Sequence, residues 1–133
     1  MRSGDCNVGD DLRTKLTASY AAITRHEKAI SDLFISSALT IPGLQLHGHK
    51  VSDQRTPTFC LTLSGLTAGQ LALQLVDRGV AAGAGHFYAL SFPQHMGLTE
   101  NGGFTRIGFF HYNTLDEVQR VVNILKEIAQ EVA

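Results

Sequence analysis

Arg106 has the clearest binding chemistry of any residue in this 133-residue sequence. The stretch 56–115 contains four charged residues, which are Asp77, Arg78, Glu100 and Arg106. A guanidinium presents a planar fork of N–H donors that matches a carboxylate, and few neighbouring charges compete for it here. The same pattern fits an arginine whose aliphatic stem lies on a sheet edge while its charged end reaches water. Arg106 is therefore a candidate anion-binding residue, with a structural role as the alternative.

Two other patterns are typical of ligand binding but are incomplete. His47 and His49 stand two residues apart on an extended segment, so both side chains would face the same side. No cysteine or carboxylate accompanies them at ligand spacing, and we therefore predict no metal site. The run Gly83-Ala84-Gly85-His86 lacks the third glycine of a dinucleotide-binding loop, and no long helix follows it directly. We predict a tight turn there rather than a phosphate site.

The remaining reactive side chains fit ordinary structural positions. Cys60 stands between two apolar residues of a strand, where a packed thiol is expected rather than a nucleophile. Glu27, Asp116 and Glu117 fall on the polar side of a helix or in a helix cap, where carboxylates are solvated. Because no nucleophile is accompanied by a base, the sequence predicts no catalytic residue in this chain.

The composition excludes several classes of protein. Hydrophobic residues make up 44% of the chain, which excludes intrinsic disorder over most of its length. The net charge of -1 gives no electrostatic footprint for nucleic acid, and no apolar run is long enough to span a membrane. Two cysteines without a motif suit a reducing compartment, so we expect one soluble cytoplasmic domain. Charged residues are only 17% of the chain, which indicates either a dense core or a face that another domain or subunit covers.

Three amphipathic segments predict the main helices, which are Asp10–Leu39, Thr67–Arg78 and Thr114–Val132. The second and third segments each open with a capping box, in which a threonine is followed three residues later by Gln70 or Glu117. Gly79 stands where a left-handed C-terminal cap is needed. One further helical turn is predicted around Ser91–Met96.

Four short segments predict strands, which are Leu44–His47, Thr58–Leu63, Val80–Ala82 and Thr105–Phe110. In the last of them Arg106 and Gly108 share one face, whereas Ile107 and Phe109 share the other. The strands are joined by both hairpin-like and helical connections. This order predicts an α/β (α+β) two-layer sandwich, with a mostly antiparallel sheet of about four strands and the three main helices on one face.

The end of the chain resembles the closing segment of class V aminotransferases and cysteine desulfurases. The matching residues are Phe104-Thr105-Arg106-Ile107-Gly108-Phe109-Phe110-His111-Tyr112-Asn113-Thr114 and Asp116-Glu117-Val118. Residues 79–86 are similar to the family's glycine–histidine segment, and 26–27, 41–43, 47–48 and 55–59 match the beginning of the same domain. The resemblance runs from about Leu12 to Ile128. It implies that 10–133 is the C-terminal small domain of a pyridoxal-phosphate enzyme of fold type I, after a disordered or cloning-derived lead at 1–9.

The resemblance also implies roles for particular residues. Arg106 would bind the α-carboxylate of an amino-acid substrate, and His86 and Tyr88 would border the same cleft. Desulfurases have a nucleophilic cysteine at the position of Tyr88, and an arginine common in the family is replaced here by Gly83. These differences favour the relatives that do not carry out persulfide chemistry.

The cofactor lysine of the family lies on its large domain, in a Ser-x-His-Lys segment followed by glycines. His49-Lys50 is similar, but Val51-Ser52-Asp53-Gln54 follows instead of glycines, so Lys50 is rejected as that lysine. We expect that this chain is a separated small domain of a transferase- or lyase-type enzyme. By itself the chain is expected to bind no pyridoxal phosphate and to be inactive. Its partner would be the missing large domain or a protein on the uncharged face. The alternative is an independent binding or dimerisation module, such as a homodimer.

Overall fold

The computed structural model describes residues 8–53 and 55–133. These residues form four helices and four strands, in the order α1 Val8–Ala38, β1 Leu44–His47, β2 Thr58–Leu63, α2 Ala68–Asp77, β3 Gly83–Gly85, α3 Ser91–His95, β4 Phe104–Gly108 and α4 Leu115–Glu131. Residues 1–7 of the expected lead lie outside the described residues, and residues 8–9 already belong to α1. None of the described helices is both long and apolar enough to cross a membrane.

The four strands form one antiparallel sheet in the order β1-β2-β4-β3. In the centre of the sheet Leu61 pairs with Leu46 on one side, and Phe59 pairs with Ile107 on the other. These side chains are almost completely buried. The predicted α+β sandwich with a mostly antiparallel sheet is confirmed.

The main core lies between one face of this sheet and the three long helices. Its helical side chains include Ile30 and Phe34 of α1, Leu75 of α2, and Val122 and Leu125 of α4. The ring centroids of Phe34 and Phe59 are 4.4 Å apart, and Phe109 packs against both rings. These helices therefore cover one face of the sheet.

The ends of α2 and α4 form as their local sequence predicts. Both capping boxes are present. The side chain of Thr67 accepts from the backbone N–H of Gln70, and that of Thr114 accepts from the backbone N–H of Glu117. In return, the side chain of Gln70 or Glu117 accepts from the backbone N–H of its N-cap threonine. Gly79 has a φ of 74°, and its N–H donates to the carbonyl of Val76 while the N–H of Val80 donates to that of Leu75. This pattern is a Schellman cap, as the glycine predicts.

The third strand begins later than the sequence predicts. Val80–Ala82 are not in a strand; β3 is Gly83–Gly85. The physical reason is that the N–H of Val80 closes the cap of α2 and its side chain is buried in the core. The fourth strand is also displaced by one to two residues, since it starts at Phe104 and ends at Gly108.

The apolar stripe predicted along the first helix is buried over only half of its length. Every side chain from Asp11 to Ala22 is exposed, including Leu12, Leu16 and Tyr20. From Ile30 onwards the same stripe packs in the core. The first half of α1 therefore extends past the sheet and the other helices.

Candidate functional site

The sheet face opposite the long helices carries the arginine that the sequence singles out. A row of four paired residues crosses this face, one from each strand: His47, Cys60, Arg106 and Gly83. Arg106 and Gly108 of β4 are exposed, whereas Thr105 and Ile107 of the same strand point into the core. The predicted division of this strand into two faces is confirmed.

The guanidinium of Arg106 lies on the ring of Phe87. Its central carbon is 3.9 Å from the ring centroid, which is a cation–π contact. Within residues 8–53 and 55–133, Arg106 makes no ion pair and no side-chain hydrogen bond. Neither Glu100 nor Asp116, the acidic residues nearest to it in sequence, pairs with it. Its N–H donors therefore face solvent without a competing carboxylate from the described side chains.

The turn after β3 places the Phe87 ring under Arg106. Phe87 and Tyr88 have φ values of 48° and 65°, a left-handed conformation that bulky side chains rarely adopt. The N–H of Tyr88 donates to Nδ1 of His86 at 3.0 Å, which supports the turn. The Phe87 ring also stacks on Phe104, with centroids 5.7 Å apart. Backbone strain of this kind persists where neighbouring groups hold it, and it is common at binding sites.

His86 and Tyr88, the other residues expected at the site, lie next to each other on the surface. Their ring centroids are 6.4 Å apart, and the Tyr88 side chain is 98% exposed. Phe87, the residue between them, makes the contact with Arg106. Sequence reasoning missed Phe87, although a large aromatic residue directly after a glycine–histidine pair was a usable signal. The assignment of His86, Tyr88 and Arg106 to a substrate remains a prediction.

Two glycines make room for this turn. A Cβ on Gly83 would lie 3.3 Å from the Phe87 ring, so the ring occupies the space that a side chain at 83 would need. Gly103 has a φ of 87°, and a Cβ there would overlap the carbonyl oxygen of Gly85. The prediction of a tight turn at Gly83–His86 is therefore wrong in its position. Residues 83–85 pair with β4 as a strand, and the turn starts at His86.

The row across the sheet continues from Arg106 to Cys60 and then to His47. The side chains of Cys60 and His47 are uncharged near neutral pH. Burial raises the pKa of the Cys60 thiol, although the guanidinium groups of Arg106 and Arg55 oppose this effect. Burial is also the main cause of the lowered pKa of His47, with a smaller effect from the charge of Lys50. Nε2 of His47 lies 2.8 Å from the hydroxyl of Thr62. This environment suits packing rather than nucleophilic chemistry.

No group of three or more His, Cys, Asp or Glu side chains suited to a metal ion occurs in the part of the chain that the structure describes. His47 is buried against Thr62, whereas His49 is exposed in the following loop. The two histidines therefore differ in environment despite their spacing.

The Tyr-Asn-Thr segment has a structural role in the folded chain. Oδ1 of Asn113 accepts from the N–H of Phe110 at 2.9 Å, and its Nδ2 donates to Glu117. Hydrogen bonds from the Thr114 backbone and from Asn113 lower the pKa of the Glu117 carboxyl. His26 of α1 must donate from Nε2 to the Asn113 carbonyl, 2.8 Å away, because a carbonyl oxygen only accepts. These bonds join α1, the turn and the start of α4.

Lys50 lies in the loop between β1 and β2 and is exposed. The same loop is joined to α1 by Lys28, whose ammonium group donates to Ser52 at 2.6 Å and pairs with Asp32 and Asp53, each at 3.2 Å. These are surface ion pairs. Hydrogen bonds to Asp53 and Asp32 raise the pKa of Lys28, whereas a hydrogen bond with Ser52, followed by that from Lys28, lowers the pKa of Asp32. The loop is thus a structural connection.

Comparison with known proteins agrees with this geometry. The family model "Aminotransferase class-V" matches residues 11–121. A probable cysteine desulfurase of Staphylococcus epidermidis is 30% identical over 108 residues, which are 81% of this chain and 25% of the relative. Probable cysteine desulfurase 1 of Mycobacterium leprae is 27% identical over 92% of this chain and 19% of its own length. A cysteine desulfurase structure from Thermococcus onnurineus has a TM-score of 0.79 at 20% identity, covering 90% of this chain and 29% of that one.

The sheet that carries the exposed Arg106 therefore belongs to a fold that also occurs within larger proteins. The chain belongs to the class V aminotransferase family, and it is similar to part of the cysteine desulfurases in that family. It spans about a quarter of the length of the curated relatives that it matches. The structural likeness, at 20% identity, supports the fold alone.

Proposed function

We propose that this chain provides the carboxylate-binding part of an amino-acid site of the class V aminotransferase type. Arg106 binds the α-carboxylate of the substrate, and His86 and Tyr88 border the same cleft. The observation that supports this most directly is the exposed Arg106 guanidinium, which has an aromatic ring on one side and no carboxylate among the described side chains beside it. A carboxylate could accept two parallel N–H bonds from this fork.

The family uses pyridoxal phosphate, and the residues of this chain do not fit that cofactor. A lysine that forms a Schiff base is activated by desolvation or by a neighbouring cation, whereas all four lysines of this chain are exposed. The glycines at 83–85 form a strand rather than a loop at the start of a helix, where phosphate binds. In our proposal the cofactor lysine and the large domain come from polypeptide outside this chain, and the chain alone is not catalytic. The free Cys60 thiol suits a reducing cytoplasm, which we propose as its compartment.

The carboxylate proposal is tested by NMR on the isotope-labelled chain. The Nε–Hε resonance of Arg106 is followed during titration with glycine, and glycine methyl ester, which lacks the carboxylate, is the ligand control. We expect a saturable shift with a Kd in the millimolar range, because a single arginine contact offsets little of the entropy of association. In Arg106→Ala, glycine should no longer shift the resonances of the residues around position 106. Arg13→Ala, which removes an exposed arginine of α1, should leave the glycine-induced shifts unchanged. Equal shifts with the methyl ester would contradict the proposal.

Added pyridoxal phosphate separates this proposal from a complete small enzyme. The absorbance spectrum of the cofactor is expected to remain that of the free aldehyde in the presence of the chain. A new absorbance band that disappears in Lys50→Ala would show instead that the chain holds the cofactor by itself. A band that survives in every single lysine variant would point to nonspecific reaction with surface amines.

A dimerisation module is the second candidate, and one specific observation favours it. Leu12, Leu16 and Tyr20 form an exposed apolar stripe on successive turns of α1, with side-chain exposures of 56%, 49% and 66%. Apolar surface of this kind is typical of a protein contact. Sedimentation velocity over a hundredfold concentration range tests it: a dimer in the wild type that dissociates in Leu16→Glu would support the module. A monomer at all concentrations would exclude it.

A further inference from the structure

We infer that Phe87 is a positioning residue for carboxylate binding, an inference that rests on the function proposed above for Arg106. The Arg106 guanidinium lies over the Phe87 ring, with 3.9 Å between its central carbon and the ring centroid, which is van der Waals contact. Its N–H donors make no hydrogen bond or ion pair within residues 8–53 and 55–133. Phe87 thereby holds the donor fork in the orientation that a planar carboxylate needs.

The Phe87 ring is supported by Phe104, on which it stacks at an interplanar angle of 27°. Phe92 contacts Phe104 edge to face, with ring centroids 5.7 Å apart, and makes no ring contact with Phe87 among the described residues. Phe104 is only 3% exposed. The ring under Arg106 is therefore itself packed against a buried side chain.

Phe87 is also the contact that orients Arg106. The guanidinium makes no ion pair or side-chain hydrogen bond within residues 8–53 and 55–133, so no polar group in these ranges fixes it. A free arginine side chain loses considerable rotamer entropy when it is immobilised by a ligand. Because the ring restricts the side chain before the ligand arrives, part of that entropy loss no longer weakens binding.

The backbone is arranged to bring the ring to this place. Phe87 adopts a left-handed conformation that a phenylalanine rarely takes, and the hydrogen bond from Tyr88 to His86 supports it. Gly83, directly opposite Arg106 in the sheet, has no side chain that would displace the ring. Three independent features thus converge on one contact: a strained turn, a glycine on the neighbouring strand and a ring cluster.

The experiment compares Phe87→Leu, Phe87→Tyr and the matched control Phe92→Leu. Phe92→Leu makes the same chemical change in the same cluster, at a ring that lies against Phe104 and not on Arg106. Two properties are measured by NMR for each variant: the chemical shift of the Arg106 Nε–Hε group without ligand, which reports the ring current of Phe87, and the Kd for glycine. Phe87→Leu retains an apolar side chain but removes the π face.

We expect Phe87→Leu to lose the ring-current shift of Arg106 and to weaken glycine binding about two- to fivefold, the range of an exposed cation–π contact. Phe87→Tyr restores both properties, and Phe92→Leu changes neither. Glycine affinity that is the same in Phe87→Leu and wild type would overturn the inference while leaving the function of Arg106 intact. Equal weakening in Phe87→Leu and Phe92→Leu would also overturn it, since that result indicates a general packing effect. If wild type shows no saturable glycine shift, the proposed function fails and the inference fails with it.

Discussion

On β4, neighbouring residues have opposite roles because a strand turns alternate side chains to opposite faces. Thr105 is completely buried, and its hydroxyl donates to the Ala68 carbonyl at 2.8 Å, which fixes the first turn of α2 against the sheet. Arg106, one residue later, is exposed, and its guanidinium lies over the Phe87 ring. The contributions of these two neighbouring side chains to stability should therefore be separable by mutation.

Arg106→Ala should lower the free energy of unfolding by less than about 1 kcal/mol, because an exposed cation–π contact contributes little. Thr105→Val should lower it by about 1 to 2 kcal/mol, since a buried hydrogen bond is lost without a change of shape. Urea denaturation of the two variants beside wild type measures both values. A loss for Arg106→Ala as large as that for Thr105→Val would support the structural role for Arg106.

His47 should make the stability of the chain depend on pH below neutrality. Burial lowers the pKa of His47 below its ordinary value, so the unfolded chain takes up this proton at a higher pH than the folded chain does. The folded state is therefore favoured above the ordinary histidine pKa, and stability falls as the pH decreases through that value. Denaturation midpoints at pH 7.5 and 5.5 should differ less in His47→Gln than in wild type. His49→Gln, a change at an exposed histidine of the next loop, should retain the wild-type difference.

At the scale of elements, local signals in the sequence predict the helix ends but not every strand. The capping threonines and Gly79 act through bonds within three or four residues, so their patterns are visible in sequence, and β1 and β2 have the predicted bounds. Val80 resembles a strand residue in composition, yet its N–H is used by the cap of α2. Arg106 could be singled out from the scarcity of charge around it. Its contact with Phe87 could not, because it depends on a left-handed turn and on the register of β3 and β4.

Helix α4 provides a clear test of the two-layer arrangement. Leu125 is completely buried where α4 covers the sheet, whereas Asn123, two residues earlier, is exposed. Leu125→Asp places an unpaired charge in the core and should cost more than about 5 kcal/mol, enough to unfold a domain at the lower end of the usual stability range. Asn123→Asp keeps an acceptor for Gln119 and should change stability by less than about 0.5 kcal/mol. Circular dichroism during heating distinguishes the two, and a folded Leu125→Asp variant would contradict this packing.

At the scale of the whole molecule, exposed large apolar side chains occur on several elements of the described chain. The first half of α1 exposes Leu12, Leu16 and Tyr20. Tyr88 is exposed in the turn after β3, and Phe110 and Tyr112, which are exposed after β4, stack on each other with centroids 5.4 Å apart. The low charge of the sequence is thus accompanied by exposed apolar side chains as well as by a dense core.

The two halves of α1 should differ sharply in hydrogen exchange. In residues 11–22 every side chain is exposed, and the side-chain hydrogen bonds there include local ones from Thr17 to Arg13 and from Ser19 to Lys15. Isolated helices of this length are marginal in water. Residues 30–38 pack in the core and should exchange only by larger unfolding. Mass spectrometry at low protein concentration should therefore show rapid exchange in the first half and strong protection in the second. Protection of the first half that appears only at high concentration would indicate a contact between copies through Leu16, and it should disappear in Leu16→Glu. Equal protection of both halves at every concentration would contradict the extended first half of α1.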